Sequence, residues 1–212
     1  MSTIEPEASA SAPRQRRRQP EEARRLITGA AVTFLFERPF RELTVAELMR
    51  STGLSRPAFY QYYRDLHELM ESLLGGLVDS IGAVGNPWLS GEGEPLEALR
   101  ESLRGVVNVL AENGPILRAV SEAAPHDERL ERAWSAFMGH WDTEVSERIR
   151  IQQASGLVAP FDAWSMANAL NALNATVFVE AFGRPPRRDP AAVLETLHRI
   201  WVGSIYGPRP SI

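Results

Sequence analysis

The sequence predicts an all-α protein of about nine helices, and three observations predict it. Apolar residues recur at helical spacing along nearly the whole chain. Capping residues stand just ahead of many of those stretches, and Gly or Pro often stands just behind them. No segment alternates convincingly enough for a strand, and no internal repeat is visible.

Taken in order, residues 1–19 are rich in Ser, Ala, Pro and Arg, with little to bury, and read as a disordered basic arm. Helical periodicity begins near Pro20, where Leu26, Ile27, Ala30, Phe34 and Leu35 form a stripe that stops at Pro39. Thr44 and Glu47 read as a capping box for a short helix that Gly53 ends. Ser55 is placed to cap the next helix, with Pro57 in its first turn. Asp65 and Glu68 read as a second capping box, opening a helix with Leu66, Leu69, Met70, Leu73, Leu74 and Leu77 on one face. Residues 82–95 read as a Gly- and Pro-rich loop. Helices are then expected over about 95–113, 115–123, 127–154, 160–182 and 189–206, and 208–212 is a tail.

The totals narrow the function classes. A chain of 212 residues, 44% apolar, can bury a sizeable core. With no cysteine, disulfides, thiolate metal sites and cysteine nucleophiles are excluded. No run approaches the ~20 apolar residues of a membrane span, and no signal peptide is visible, so a cytoplasmic protein with no membrane partner is expected. His67, His126, His140 and His198 lack metal-ligand spacing, and there is no phosphate-binding glycine loop or nucleophile motif. Neither an enzyme nor a bound cofactor is expected.

The net charge of −4 hides an asymmetry. Residues 14–64 hold 11 Arg against 5 Glu, whereas residues 65–212 hold 12 Arg against 20 acids. A basic first quarter on an acidic body suggests that one end meets a polyanion.

Two short helices joined by a tight glycine turn form a helix-turn-helix, here at 20–64. Phe59, Tyr60, Tyr62 and Tyr63 crowd its second helix, and a helix that short cannot bury all four. Val45, Leu48, Met49, Leu54 and Phe59 suffice for a small core. Arg56, Pro57, Ala58, Tyr60, Gln61 and Tyr62 are left for an outer face. Arginine reads a guanine edge, tyrosine reaches phosphate and sugar, and Ala58 can touch a thymine methyl. Thr44, at a helix start, is placed for a phosphate contact. Double-stranded operator DNA is the expected partner.

The same residues, Thr44-Val-Ala-Glu-Leu and Gly53-Leu-Ser-Arg-Pro-Ala-Phe-Tyr-Gln-Tyr-Tyr63, strongly resemble the DNA-binding domain of TetR-family transcriptional repressors. Further stretches are similar to the EthR-like branch of that family. They are Trp134 to Trp141, Ala169 to Asn174 and His198 to Gly207, so the resemblance spans most of the chain. It implies operator contacts for Arg56, Pro57, Ala58, Tyr60, Gln61 and Tyr62. Many members place a phosphate-binding lysine where this chain has Leu66, with Arg64 and His67 as the neighbours able to replace it.

The body, residues 65–207, is read as a ligand-binding and dimerisation domain. Over 127–154, Leu130, Trp134, Phe137, Met138, Trp141, Val145 and Ile149 form one bulky stripe. Over 160–182, Met166, Leu170, Leu173 and Val177 lie beside Ala167, Asn171, Asn174 and Phe178, which makes that helix apolar on two sides. Asn171 and Asn174 need partners when buried. Either they bond each other or nearby backbone, or they line a cavity. The resemblance implies the second: Asn171, Asn174 and Trp201 would line a largely apolar effector tunnel, with Phe137, Met138 and Trp141 beside it. Leu103 and Leu110 stand about where that branch has aromatic rings, and Glu144 where it has a tyrosine. The effector so implied is an elongated, hydrophobic small molecule with an acceptor for an asparagine N–H. A homodimer is expected through about 160–182 and 189–206, the latter with the stripe Val193, Leu197, Ile200, Trp201 and Ile205.

Overall fold

A computed structural model describes residues 19–84 and 86–207, and among them it contains nine α-helices and no strand. The expected arm, apart from Gln19, and the tail at 208–212 lie outside the described residues. The helices are α1 (Gln19–Glu37), α2 (Val45–Thr52), α3 (Arg56–Tyr60), α4 (Leu66–Ala83), α5 (Pro87–Ser90), α6 (Pro95–Ala123), α7 (Glu128–Ala154), α8 (Ala163–Phe182) and α9 (Pro190–Tyr206). No helix among the described residues is long and apolar enough to cross a membrane.

The first three helices form a small three-helix unit. Ile27, Ala31 and Leu35 of α1 are fully buried, one turn apart, against Leu48, Met49 and Phe59. Leu26, expected on that stripe, is 45% exposed, because the buried face is centred one residue further round. Gly53 takes φ 71° at the end of α2, a left-handed conformation in which a side chain is strained.

The helix starts are only partly as expected. Thr44 accepts from Glu47 N–H, but the Glu47 carboxylate turns to Arg38 and leaves the box half-made. Ser55 makes no side-chain cap at all. Asp65 caps Glu68 N–H, while Glu68 reaches Arg64 N–H, one residue before the expected donor.

The long helix α6 touches α1, α4, α5, α7, α8 and α9, and is the strut of the molecule. It runs unbroken through Gly114-Pro115, where a boundary between two helices was expected. Two local facts explain this. A proline at 115 cannot donate to the Ala111 carbonyl, and Arg187 Nη1 donates to that oxygen instead, at 2.6 Å. A Cβ at Gly114 would lie 2.6 Å from the backbone of Phe182, so this glycine permits the close approach of α6 and α8. The second departure is α5, a single turn within the segment read as loop, capped by Asn86 and closed by Gly91. One helix fewer in α6 and one more in α5 leave the count at nine.

In α9, Val193, Leu197, Trp201 and Ile205 are buried inside the protomer, so the stripe expected to face a second copy faces this chain's own core. Only Ile200 of that set stays half-buried.

Candidate nucleic-acid interface and effector cavity

The four crowded rings sort themselves by burial. Phe59 is completely buried and Tyr63 nearly so, whereas Tyr60 is 54% exposed. Tyr62 is half-buried, not outward as expected, with the Arg24 guanidinium 5.6 Å from its ring centroid. The reason is length: α3 ends at Tyr60, Gln61 is its C-cap, and Tyr62 already lies in the following turn. Arg56, Pro57 and Gln61 are exposed, Ala58 is half-buried, and Thr44 is exposed at the start of α2. Among the described residues Arg50 of α2 and Arg56 of α3 are both exposed and form no ion pair. Leu66 is half-buried in the first turn of α4. Its two neighbours are engaged: Arg64 pairs with Glu68, and His67 Nε2 lies 2.6 Å from Asp127 Oδ2.

That histidine belongs to a junction between the start of α4 and the start of α7. Arg129 donates to both oxygens of Asp65, at 3.0 and 2.8 Å, and to both of Glu71, at 2.6 and 2.8 Å. The Glu71 contact, made by two nitrogens to two oxygens, is a fork that fixes orientation as well as charge, while Nη1 alone serves Asp65. The Glu71 hydrogen bond and then that of Asp65 raise the Arg129 pKa further above its ordinary value. The Leu130 N–H, which Asp127 accepts at the α7 N-terminus, holds the Asp127 pKa below the usual carboxylate value; His67 adds to the effect, against partial burial.

A second junction is deeper. Arg118 of α6 is 2% exposed, and its Nε donates to Gly183 O, just past α8, at 3.0 Å. Its Nη2 donates to Leu35 O near the end of α1, and Nη1 to Glu122 at 3.3 Å. Burial draws the Arg118 pKa down from its usual value, opposed by Glu122.

Between α4, α5, α6, α7, α8 and α9 lies a cavity of about 80 Å³. Leu103, Leu110, Phe137, Met138, Trp141, Asn171, Asn174, Phe178 and Trp201 all line it, so the structure brings every expected effector-site residue to one place. Glu144 is exposed and outside the lining. The asparagines do not bond each other. Asn171 Nδ2 donates to Asp142 Oδ1 at 2.8 Å, and Asn174 Oδ1 accepts from Trp201 Nε1 at 3.0 Å.

Other lining residues were not expected from the sequence. Asn86, Trp88 and Leu89 arrive on α5, where the Asn-Pro pair that caps the turn was the available signal. Trp88 is 2% exposed and packs edge-on to Trp201. Its backbone N–H donates to Ser102 Oγ at 3.1 Å and its indole N–H to Tyr206 Oη at 2.7 Å. The turn that roofs the cavity is therefore tied to α6 and α9, and it also continues the chain from α4.

Comparison with known proteins matches the two parts of the chain to two family models. A family model described as bacterial regulatory proteins of the tetR family matches residues 27–73, and one for the C-terminal domain of the transcriptional regulator EthR matches residues 99–207. The HTH-type transcriptional regulator EthR of Mycobacterium tuberculosis is 32% identical over 211 residues, covering 94% of this chain and 96% of that protein. Among solved structures, a TetR-family regulator from Syntrophomonas wolfei is similar with a TM-score of 0.74 at 16% identity, over 87% of this chain and 95% of that one. AibR, solved in complex with isovaleryl coenzyme A and operator DNA, has a TM-score of 0.66 at 15% identity, over 88% of this chain and 99% of its own.

Proposed function

This chain belongs to the TetR family of bacterial transcriptional regulators, with an EthR-type C-terminal domain, and from that membership we propose a repressor that an apolar small molecule releases from DNA. The observation that carries this reading is one chain holding two separate sites joined by α4 and α6. One is the exposed face of α3 with Arg56 and Tyr60; the other is the cavity walled by α7 and α8.

The protein acts as a homodimer through α8 and α9, with the outward sides of those helices as the contact. Met166, Leu173 and Val177 of α8 stay half-buried in the single chain, and Trp164 at its start is 46% exposed. A two-fold dimer places its α3 helices ~34–36 Å apart, which suits a pseudo-palindromic operator. Arg56 reads a base edge, and Tyr60, Gln61 and Thr44 hold the backbone. Residues 1–19 add a basic arm that follows the phosphates.

The cavity is small beside the ~300–1,000 Å³ of ordinary ligand sites. An elongated apolar effector enters only as the walls separate. Ile81 of α4 and Trp88 of α5 belong to those walls, so filling the cavity moves the end of α4 remote from α3. A ligand releases DNA only as far as it prefers the conformation that does not bind DNA.

The test is a salt-controlled titration on the DNA upstream of the protein's own coding sequence. Affinity at least a thousandfold above that for unrelated DNA supports the reading. Uniform micromolar affinity on all sequences, falling steeply with salt, identifies a ligand-binding protein with non-specific DNA contacts and overturns it.

A further inference from the structure

Arg148 of α7 is a half-buried cation that forms no ion pair among the described residues, and its Nε is buried with no hydrogen-bond partner there. Of the neighbouring acids, Glu147 pairs with Arg150, and the Glu94 carboxylate caps α6. Glu92 and Glu144 are exposed and form no ion pair among the described residues. The Arg148 guanidinium lies instead against the end of α5, where a Cβ at Gly91 would stand 2.8 Å from Nη1. Gly91, at φ 80°, closes that turn and leaves room for the charge.

One turn further along α7, Gln152 is 1% exposed. Its Oε1 accepts from the Tyr206 hydroxyl at 3.0 Å, and that hydroxyl accepts from Trp88 Nε1. The indole only donates, so the hydroxyl spends its one proton on Gln152 and fixes the amide with its oxygen toward Tyr206. Gln152 Nε2 is then left over, buried and without a partner among the described residues. Burial raises the Tyr206 pKa above its ordinary value, so the phenol stays neutral and gives Arg148 no counter-charge. Arg148 and Gln152 continue the stripe of Trp141 and Val145, both of which line the cavity, as does Leu89 of α5. The two spare donors therefore follow the cavity by one turn, beside the α5 turn that roofs it.

From this placement we propose that the effector is an amphipathic carboxylate, with its apolar chain in the cavity and its head group on Arg148 and Gln152. The inference deepens the effector reading above and rests on it. Residues at i, i+4 on a helix stand ~5–6 Å apart at Cβ, and the two oxygens of one carboxylate can each take a donor from such a pair. The apolar walls supply most of the affinity, and the charge fixes which end of the ligand meets α5. An anionic head satisfies a partly buried cation, which a neutral head cannot do. Because the guanidinium packs on Gly91, engaging it moves the same turn that Trp88 ties to α9.

The experiment compares octanoate, octanamide and methyl octanoate on the full chain at neutral pH, by calorimetry and by release of bound DNA. On the wild type, octanoate binds about ten- to hundredfold more tightly than either neutral analogue. In Arg148→Met, which keeps an apolar stem without the charge, the preference falls to within about threefold. Arg148→Lys restores the charge and recovers part of the preference, which a purely structural role would not give. Melting and DNA binding without ligand report separately whether each variant is folded. The wild-type series decides the matter even where a variant fails to fold. Equal affinity for octanoate and octanamide, with DNA released by both, overturns this inference and leaves the effector reading intact. An unchanged preference in a folded Arg148→Met overturns the role of Arg148. No binding by any of the three, with specific DNA binding retained, overturns both readings.

Discussion

Arg118 on α6 donates its Nε–H to the carbonyl oxygen of Gly183, 3.0 Å away, while another nitrogen of the same guanidinium donates to Leu35 O. One buried side chain therefore holds the end of a cavity helix and the end of the first DNA-domain helix together. Arg118→Ala strands those carbonyls, and a loss of roughly 2–4 kcal/mol is expected from hydrogen bonds made by a charged donor. Arg118→Lys keeps the charge but not the fork, and should recover less than half of that. Chemical denaturation of the three proteins measures it. Equal stability of Arg118→Ala and the wild type would mean that Arg118 clamps nothing.

At the DNA face, Arg56→Ala should cost ~1–3 kcal/mol on the specific site and relax preference at one base position. Tyr60→Phe should weaken all sequences about equally, since on the proposed reading it removes only a hydroxyl placed for the DNA backbone. Binding to a panel of single-base operator variants distinguishes the two. An unchanged base profile in Arg56→Ala contradicts its reading role.

In the cavity, Asn174→Leu removes the acceptor of the Trp201 indole and, on the proposed reading, a donor for the effector. Ligand affinity should fall at least tenfold, with DNA binding in the absence of ligand nearly unchanged. Thermal shift across a screen of hydrophobic esters, amides and ketones gives the first quantity and fluorescence anisotropy the second. Equal ligand binding by mutant and wild type makes Asn174 ordinary core.

Acid should loosen the α4–α7 junction. The pKa of Asp127 is held below its ordinary value by the Leu130 N–H and also by His67. A depressed carboxylate stabilises the fold above its unfolded-state pKa and loses that contribution as pH falls through the folded-state value. Asp127→Asn keeps a capping oxygen but no charge. It should be less stable than the wild type by ~0.2–1 kcal/mol at pH 7, the range of a partly exposed pair. The difference should vanish below the aspartate range. A difference independent of pH contradicts the electrostatic explanation.

Deleting residues 1–18 should leave the fold intact and flatten the dependence of log K on log[salt], by ~0.9 for each phosphate that the arm neutralises. An unchanged slope and affinity make the arm a solvated tail.

Local signals in the chain were legible where a residue type admits one main use. Gly53 at a left-handed turn and Asp65 at a helix start are examples. The nine positions that the resemblance pointed to do line one cavity, because the resemblance constrained them jointly. What was hidden depends on contacts between distant segments. Gly114-Pro115 reads locally as a stop, and only Phe182 and Arg187 make it a packed point within one helix. Asp142 looks like any surface acid until Asn168 and Asn171 are seen to surround it. The α9 stripe carries the period of a buried face, but a period does not say whether the cover is this chain or another. Val193, Leu197, Trp201 and Ile205 turned out to face inward.

If one molecule couples the cavity to the face of α3, thermodynamic linkage must appear in both directions. The operator dissociation constant is measured with and without the tightest-binding compound of that screen at saturation, and the compound's own constant with and without saturating operator. Each ligand should weaken the other by the same factor, between about 5- and 150-fold. A compound that binds the cavity tightly while both constants stay unchanged contradicts the coupling.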